Sequence, residues 1–113
     1  MKRKAGTVMV CGLPFVVIVG DDKGIPELRG DDPEHHNDGY TDAPGCKFYI
    51  RHGLAKAYAR GVLWHEIKHA IWYHAAVEQI VGATDLANVE ESFIVATAPH
   101  ELAAFESMKG LRL

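Results

Sequence analysis

The hydrophobic period of this chain changes once, near Leu54, and that change limits the architectures open to it. Before it, Thr7-Val8-Met9-Val10 and Phe15-Val16-Val17-Ile18-Val19 are apolar, β-branched runs separated by Cys11-Gly12-Leu13-Pro14. This is the pattern of two strands and a turn. Lys47-Phe48-Tyr49-Ile50, bounded by Gly45 and Gly53, reads as a short third strand. After the change, Leu63, Ile67, Ala70, Ile71, His74 and Val77 recur three and four residues apart, on one face of a helix with Gly82 as its stop. Gly61 leaves the start of that helix open. A second helix is expected from Asn88 to about Thr97, after which Pro99 kinks the chain or starts a third helix through about Met108, ending at Gly110. Strands first and helices afterwards predict an α+β domain, a small antiparallel sheet of about three strands followed by two or three packed helices. At 113 residues the whole chain, 1–113, is sized for one domain with a single modest core.

Composition removes several function classes. With 48% hydrophobic and 24% charged residues, the chain has the balance of a globular protein. A formal charge of −3 gives no electrostatic drive toward nucleic acid or an anionic membrane, so neither is expected as a partner. Lys2-Arg3-Lys4 ahead of the apolar stretch Val8 to Val19 resembles the start of a signal peptide. Gly12 and Pro14 interrupt that stretch, and Gly20-Asp21-Asp22 stands where a small-residue cleavage site is needed, so strands are the better reading. No run is long enough to cross a bilayer, and a cytoplasmic protein is expected. Cys11 and Cys46 lack C-x-x-C spacing, and two reduced thiols are a simpler reading than one disulfide. Residues 20–46 form a long polar connection, of the length usual for functional or mobile loops. Its adjacent His35-His36 lacks helical spacing and reads as solvated.

The chemistry is concentrated at His65-Glu66-Ile67-Lys68-His69, an H-E-x-x-H sequence inside the first helical segment. Residues four apart stack on one helix face, so His65 and His69 can aim their imidazoles at a single cation. Glu66 lies about 100° around the helix, beside that point, where a carboxylate can take a proton from bound water. Two imidazoles, a base and an open position are the parts of a hydrolytic zinc site. Because Val62-Leu63-Trp64 and Ala70-Ile71-Trp72 flank the motif, partial burial of both histidines is expected. The alternative is a pair of core histidines without metal.

A hydrolytic zinc takes a third protein ligand. The metzincin pattern requires Gly at position 72 and His at 75, where this chain has Trp72 and Ala75, and His74 is out of register. The next candidates, Glu90 and Glu91, open the following helix some twenty residues after His69. Asn88 is a suitable N-cap, and Glu91 completes a variant capping box with it. Glu90 shares a face with Phe93, Ile94 and Thr97, the side expected to pack on the motif helix, and is the preferred ligand, with Glu91 as the alternative.

On these residues the chain resembles the zincin metallopeptidases that use a glutamate as third ligand. More narrowly, it resembles the small zincin-like proteins of phages and bacterial mobile elements. The likeness rests on Leu63-Trp64, on His65 to Ala70, on Glu90-Glu91-Ser92-Phe93-Ile94, and on the strand Lys47–Ile50 ahead of the motif helix. It covers roughly residues 47–98. What it implies is a minimal zincin-like domain with one Zn²⁺, cleaving a peptide or protein in a bacterial or phage-infected cell. His100, Tyr73 and His74 stay open as oxyanion stabilisers. Lys47, Phe48, Tyr49 and Ile50, if they form the sheet edge nearest the metal, are the expected substrate-binding strand. Two rival expectations are an inactive zincin-like binding or regulatory module with a structural metal, and a metal-free interaction domain.

Overall fold

Side chains of alternating character build the first half of the molecule. The computed structural model describes residues 1–30, 37–76, 100 and 103–113. β1 (Lys2–Val10) and β2 (Leu13–Gly20) form an antiparallel hairpin closed by Cys11-Gly12. Both turn residues have positive φ, 52° and 77°, the backbone a two-residue turn adopts to match strand twist. Val8, Val10, Phe15, Val17 and Val19 bury one face, and that period-two pattern holds the register. The basic Lys2-Arg3-Lys4 belongs to β1, paired with Gly20, Val19 and Ile18.

The chain then leaves the sheet through a 3-10 turn, Pro26–Arg29, anchored by the buried Ile25 and Leu28. It returns as β3 (Gly39–Asp42) and β4 (Lys47–Arg51), which pair antiparallel. β4 lies parallel to β2, and the sheet order is β1-β2-β4-β3. The α+β class and the order of strands before helices stand as expected. Two details differ. The long polar connection contributes a strand of its own, and one strand pair is parallel. That connection is long enough for the crossover a parallel pair needs, so β4 enters beside β2 from the same end.

α1 (Lys56–Ile71) covers the apolar sheet face with Ala59, Leu63, Ile67, Ala70 and Ile71. These meet Phe15, Val17, Phe48 and Ile50 in one core cluster. Four of the buried positions are those the helical period selected. The helix starts ahead of Gly61, whose missing side chain faces open space. It passes into a π-helical turn, Trp72–Ala76. The expected continuation to Gly82 and the helix from Asn88 to Thr97 lie outside the described residues. Residues 103–107 are helical and lead into a 3-10 turn, Met108–Gly110, near the expected end of the third helix. Ala104 and Met108 complete the core, and Phe105 meets Trp64 edge-on at 6.0 Å. Cys11 and Cys46 are both free thiols. Among the described residues no helix is long and apolar enough to cross a membrane.

Candidate metal centre

A continuous helix through residues 65–69 brings the two motif histidines together. Their Nε2 atoms are 3.2 Å apart, and the rings meet edge-on with centroids 4.9 Å apart. Two nitrogens bound tetrahedrally to one zinc at about 2.0–2.1 Å lie about 3.3–3.4 Å from each other. The pair therefore has the spacing of two adjacent ligands. Without a cation, one ring donates a hydrogen bond to the other.

The expected partial burial of the histidines is corrected by the structure, since His65 and His69 are both exposed. The buried stripe of α1 runs through positions 63, 66, 67 and 70, one helical row away from the histidines. Glu66 occupies that stripe and is the one charged residue in the core of the described residues, only 8% exposed. Its burial is matched by a partner. The Thr41 hydroxyl donates to Glu66 Oε1 at 2.8 Å and lies 3.0 Å from the Glu66 backbone oxygen. Gly39, two residues earlier on β3, allows this approach. A Cβ there would stand 2.6 Å from Val62 Cγ1 and 3.0 Å from Glu66 Cγ. Side chains of alternate strand residues share a face, so positions 39 and 41 both turn toward α1.

The substrate-strand expectation needs a correction of place. Lys47, Phe48, Tyr49 and Ile50 lie in β4, which is paired on both sides, with β2 and with β3. Its backbone groups are occupied by the sheet, so it offers no edge for strand addition. The edge beside the motif helix is β3. Arg51 N–H donates to the Asp38 carbonyl at 2.8 Å. In that register Tyr40 and Asp42 turn their backbone groups inward to β4, and Gly39 and Thr41 turn theirs outward. The entrance to β3 is pinned twice. Tyr58 donates to Asp38 Oδ2 at 2.7 Å, and Arg51 Nε lies 3.6 Å from Asp38 Oδ1. The hydrogen bond to Asp38 and the carboxylate's charge push the Tyr58 phenol above its ordinary pKa.

Of the residues open as oxyanion stabilisers, Tyr73 is exposed. His74 has its Nε2 2.9 Å from the Ala43 carbonyl and its ring edge-on to Phe15. That contact gives His74 a structural tie between the end of α1 and the β3–β4 turn. His100 is half-buried. Glu90 and Glu91, the candidate third ligands, and the His35-His36 pair lie outside the described residues. Among the described residues no group of three or more His, Cys, Asp or Glu gathers around a common point. The donor chemistry and spacing of His65 and His69 thus fit two positions of a zinc site. Thr41 and Gly39 went unnoticed in the sequence, because a Gly and a Thr in a polar connection carry no metal-site signal. No family model, curated protein or solved structure matches this chain.

Proposed function

We propose that the chain is a zincin-like, zinc-dependent hydrolase that cleaves a peptide or protein amide bond in the cytoplasm. The observation that carries this reading is the convergence of His65 and His69 Nε2, 3.2 Å apart on one helix. His65 and His69 would hold the metal, with Glu90 as third protein ligand or Glu91 in its place, and zinc is the default ion for such a set. Bound there, zinc would supply an acidified water and a Lewis acid for the substrate carbonyl. Glu66 accepts the proton of the attacking water and passes it to the leaving amine, acting first as base and then as acid. An extended peptide pairs with the outward backbone groups of Gly39 and Thr41 along β3.

One observation favours a second reading. Glu66 is buried and hydrogen-bonded to Thr41, which is also what a purely structural glutamate requires. On that reading the chain is a binding or regulatory module of zincin shape with a structural metal, or a metal-free interaction domain. Glu66→Gln separates the readings. The zinc-loaded native chain, incubated with a randomised peptide library, is expected to release fragments that a chelator prevents. Glu66→Gln is expected to keep its zinc and release none. Equal fragment release by the native and variant chains removes Glu66 from the chemistry.

A further inference from the structure

Glu66 does not stand alone in its pocket. Its position depends on a strand that the motif does not contain. The Thr41 hydroxyl is carried by β3, and its oxygen lies 2.8 Å from Glu66 Oε1. Gly39 on the same strand leaves room for this carboxylate, since a Cβ there would stand 3.0 Å from Glu66 Cγ and 3.2 Å from Glu66 Oε2. A hydrogen bond to an ionised acceptor is short and about twice as strong as a neutral one. Thr41 also turns its backbone groups to the open side of β3, as the Asp38–Arg51 hydrogen bond and the strand register require.

We infer that Thr41 is a positioning residue, whose side chain fixes the Glu66 carboxylate while its backbone faces the site of peptide pairing on β3. The inference rests on the hydrolase reading and adds to it a link between substrate pairing and placement of the base. A peptide that pairs with β3 meets the backbone of the same residue whose hydroxyl holds Glu66. Displacement of a catalytic group by about 1 Å can cost roughly 100-fold in rate. Loss of the hydroxyl should therefore act on turnover more than on binding.

The test uses the full chain and three variants, Thr41→Val, Thr41→Ser and Glu66→Met, which has no side-chain oxygen to accept from Thr41, with the Thr41→Val/Glu66→Met double variant. Thr41→Val keeps shape and strand propensity while removing the donor. Thermal unfolding of the metal-free proteins reads the contact without reference to activity. The double variant is expected to melt close to the less stable single variant, because either change already breaks the bond. On the best-cleaved member of a peptide library, zinc-loaded Thr41→Val is expected to lose roughly 10- to 100-fold in kcat. Its KM and zinc content should stay near native values, and Thr41→Ser should recover most of the rate.

Additive losses of melting temperature would mean no direct tie and overturn the inference. Non-additive losses with native kcat in Thr41→Val would make the tie structural only, and also overturn it. If the native zinc-loaded chain cleaves no library member, the hydrolase reading itself fails and Thr41 has no base to position. The native chain's own activity tells that failure from the other two.

Discussion

The two edges of the sheet are treated differently. At β1 the far end of the chain covers the open backbone. Ser107 Oγ accepts from Met9 N–H at 3.0 Å, and Arg112 N–H donates to the Ala5 carbonyl at 3.0 Å. Leu111 packs where a side chain on Gly6 would stand, 2.8 Å from its Cβ position. At β3, the other edge, no strand follows among the described residues. An unpaired edge invites pairing with another chain, and natural sheets usually cover it. This molecule covers the edge far from its histidine pair and places β3 against the helix that carries the pair. On the proposed hydrolase reading, β3 is the edge that would take a peptide and β1 the edge that the chain itself closes.

The comparison can be broken from either side. The largest effect is expected from removing residues 107–113, which uncovers β1 and deletes the buried Met108. Loss of a core side chain of this size alone costs about 2–5 kcal/mol. The shortened chain should melt far lower and self-associate in light scattering, while a monomer of native stability would show that the cover is dispensable. At β3, Gly39→Ala places a methyl group against Val62 and Glu66. Overpacking of this kind costs about 1–3 kcal/mol, and the denaturant midpoint should fall accordingly. An unchanged midpoint would mean that the strand and α1 are not in close contact there.

Gly61→Ala calibrates both edges from the exposed side of α1. Nothing lies within 4 Å of its Cβ position, so the helix should gain up to about 1 kcal/mol. The smallest effect concerns the entrance to β3. Tyr58 is raised by its bond to Asp38, so its contribution is present below the ordinary tyrosine pKa and lost as pH climbs through the raised value. The melting temperatures of native and Tyr58→Phe chains should differ slightly at neutral pH. The gap should start to close above about pH 10 and vanish past the raised value, and a gap that widens with pH would reverse the assignment.

The readable parts of the sequence were those with a strong apolar period. Val8, Val10, Phe15, Val17 and Val19 alternate, and Leu63, Ile67, Ala70 and Ile71 follow the helix, so both sides of the core were legible. β3 was not. Gly39-Tyr40-Thr41-Asp42 faces α1 with a glycine and a threonine instead of branched apolar residues, so its strand has no hydrophobic alternation. The direction of β4 was equally hidden, since a connection's sequence does not state from which end it returns. In the centre, the spacing of His65 and His69 was legible because four residues make roughly one helical turn. Their exposure was not, because apolar neighbours on a helix bury the adjacent row and leave this one outside. Glu66, expected beside the ligands, lies on the buried row under β3, where only the tertiary fold supplies Thr41.

Zinc binding to the purified, metal-free chain, followed by titration calorimetry alongside the His69→Ala variant, bears most directly on the His65–His69 centre. Uptake of about one zinc per native chain, abolished in His69→Ala, is expected. No uptake by the native chain, or equal uptake by a folded His69→Ala variant, would contradict it.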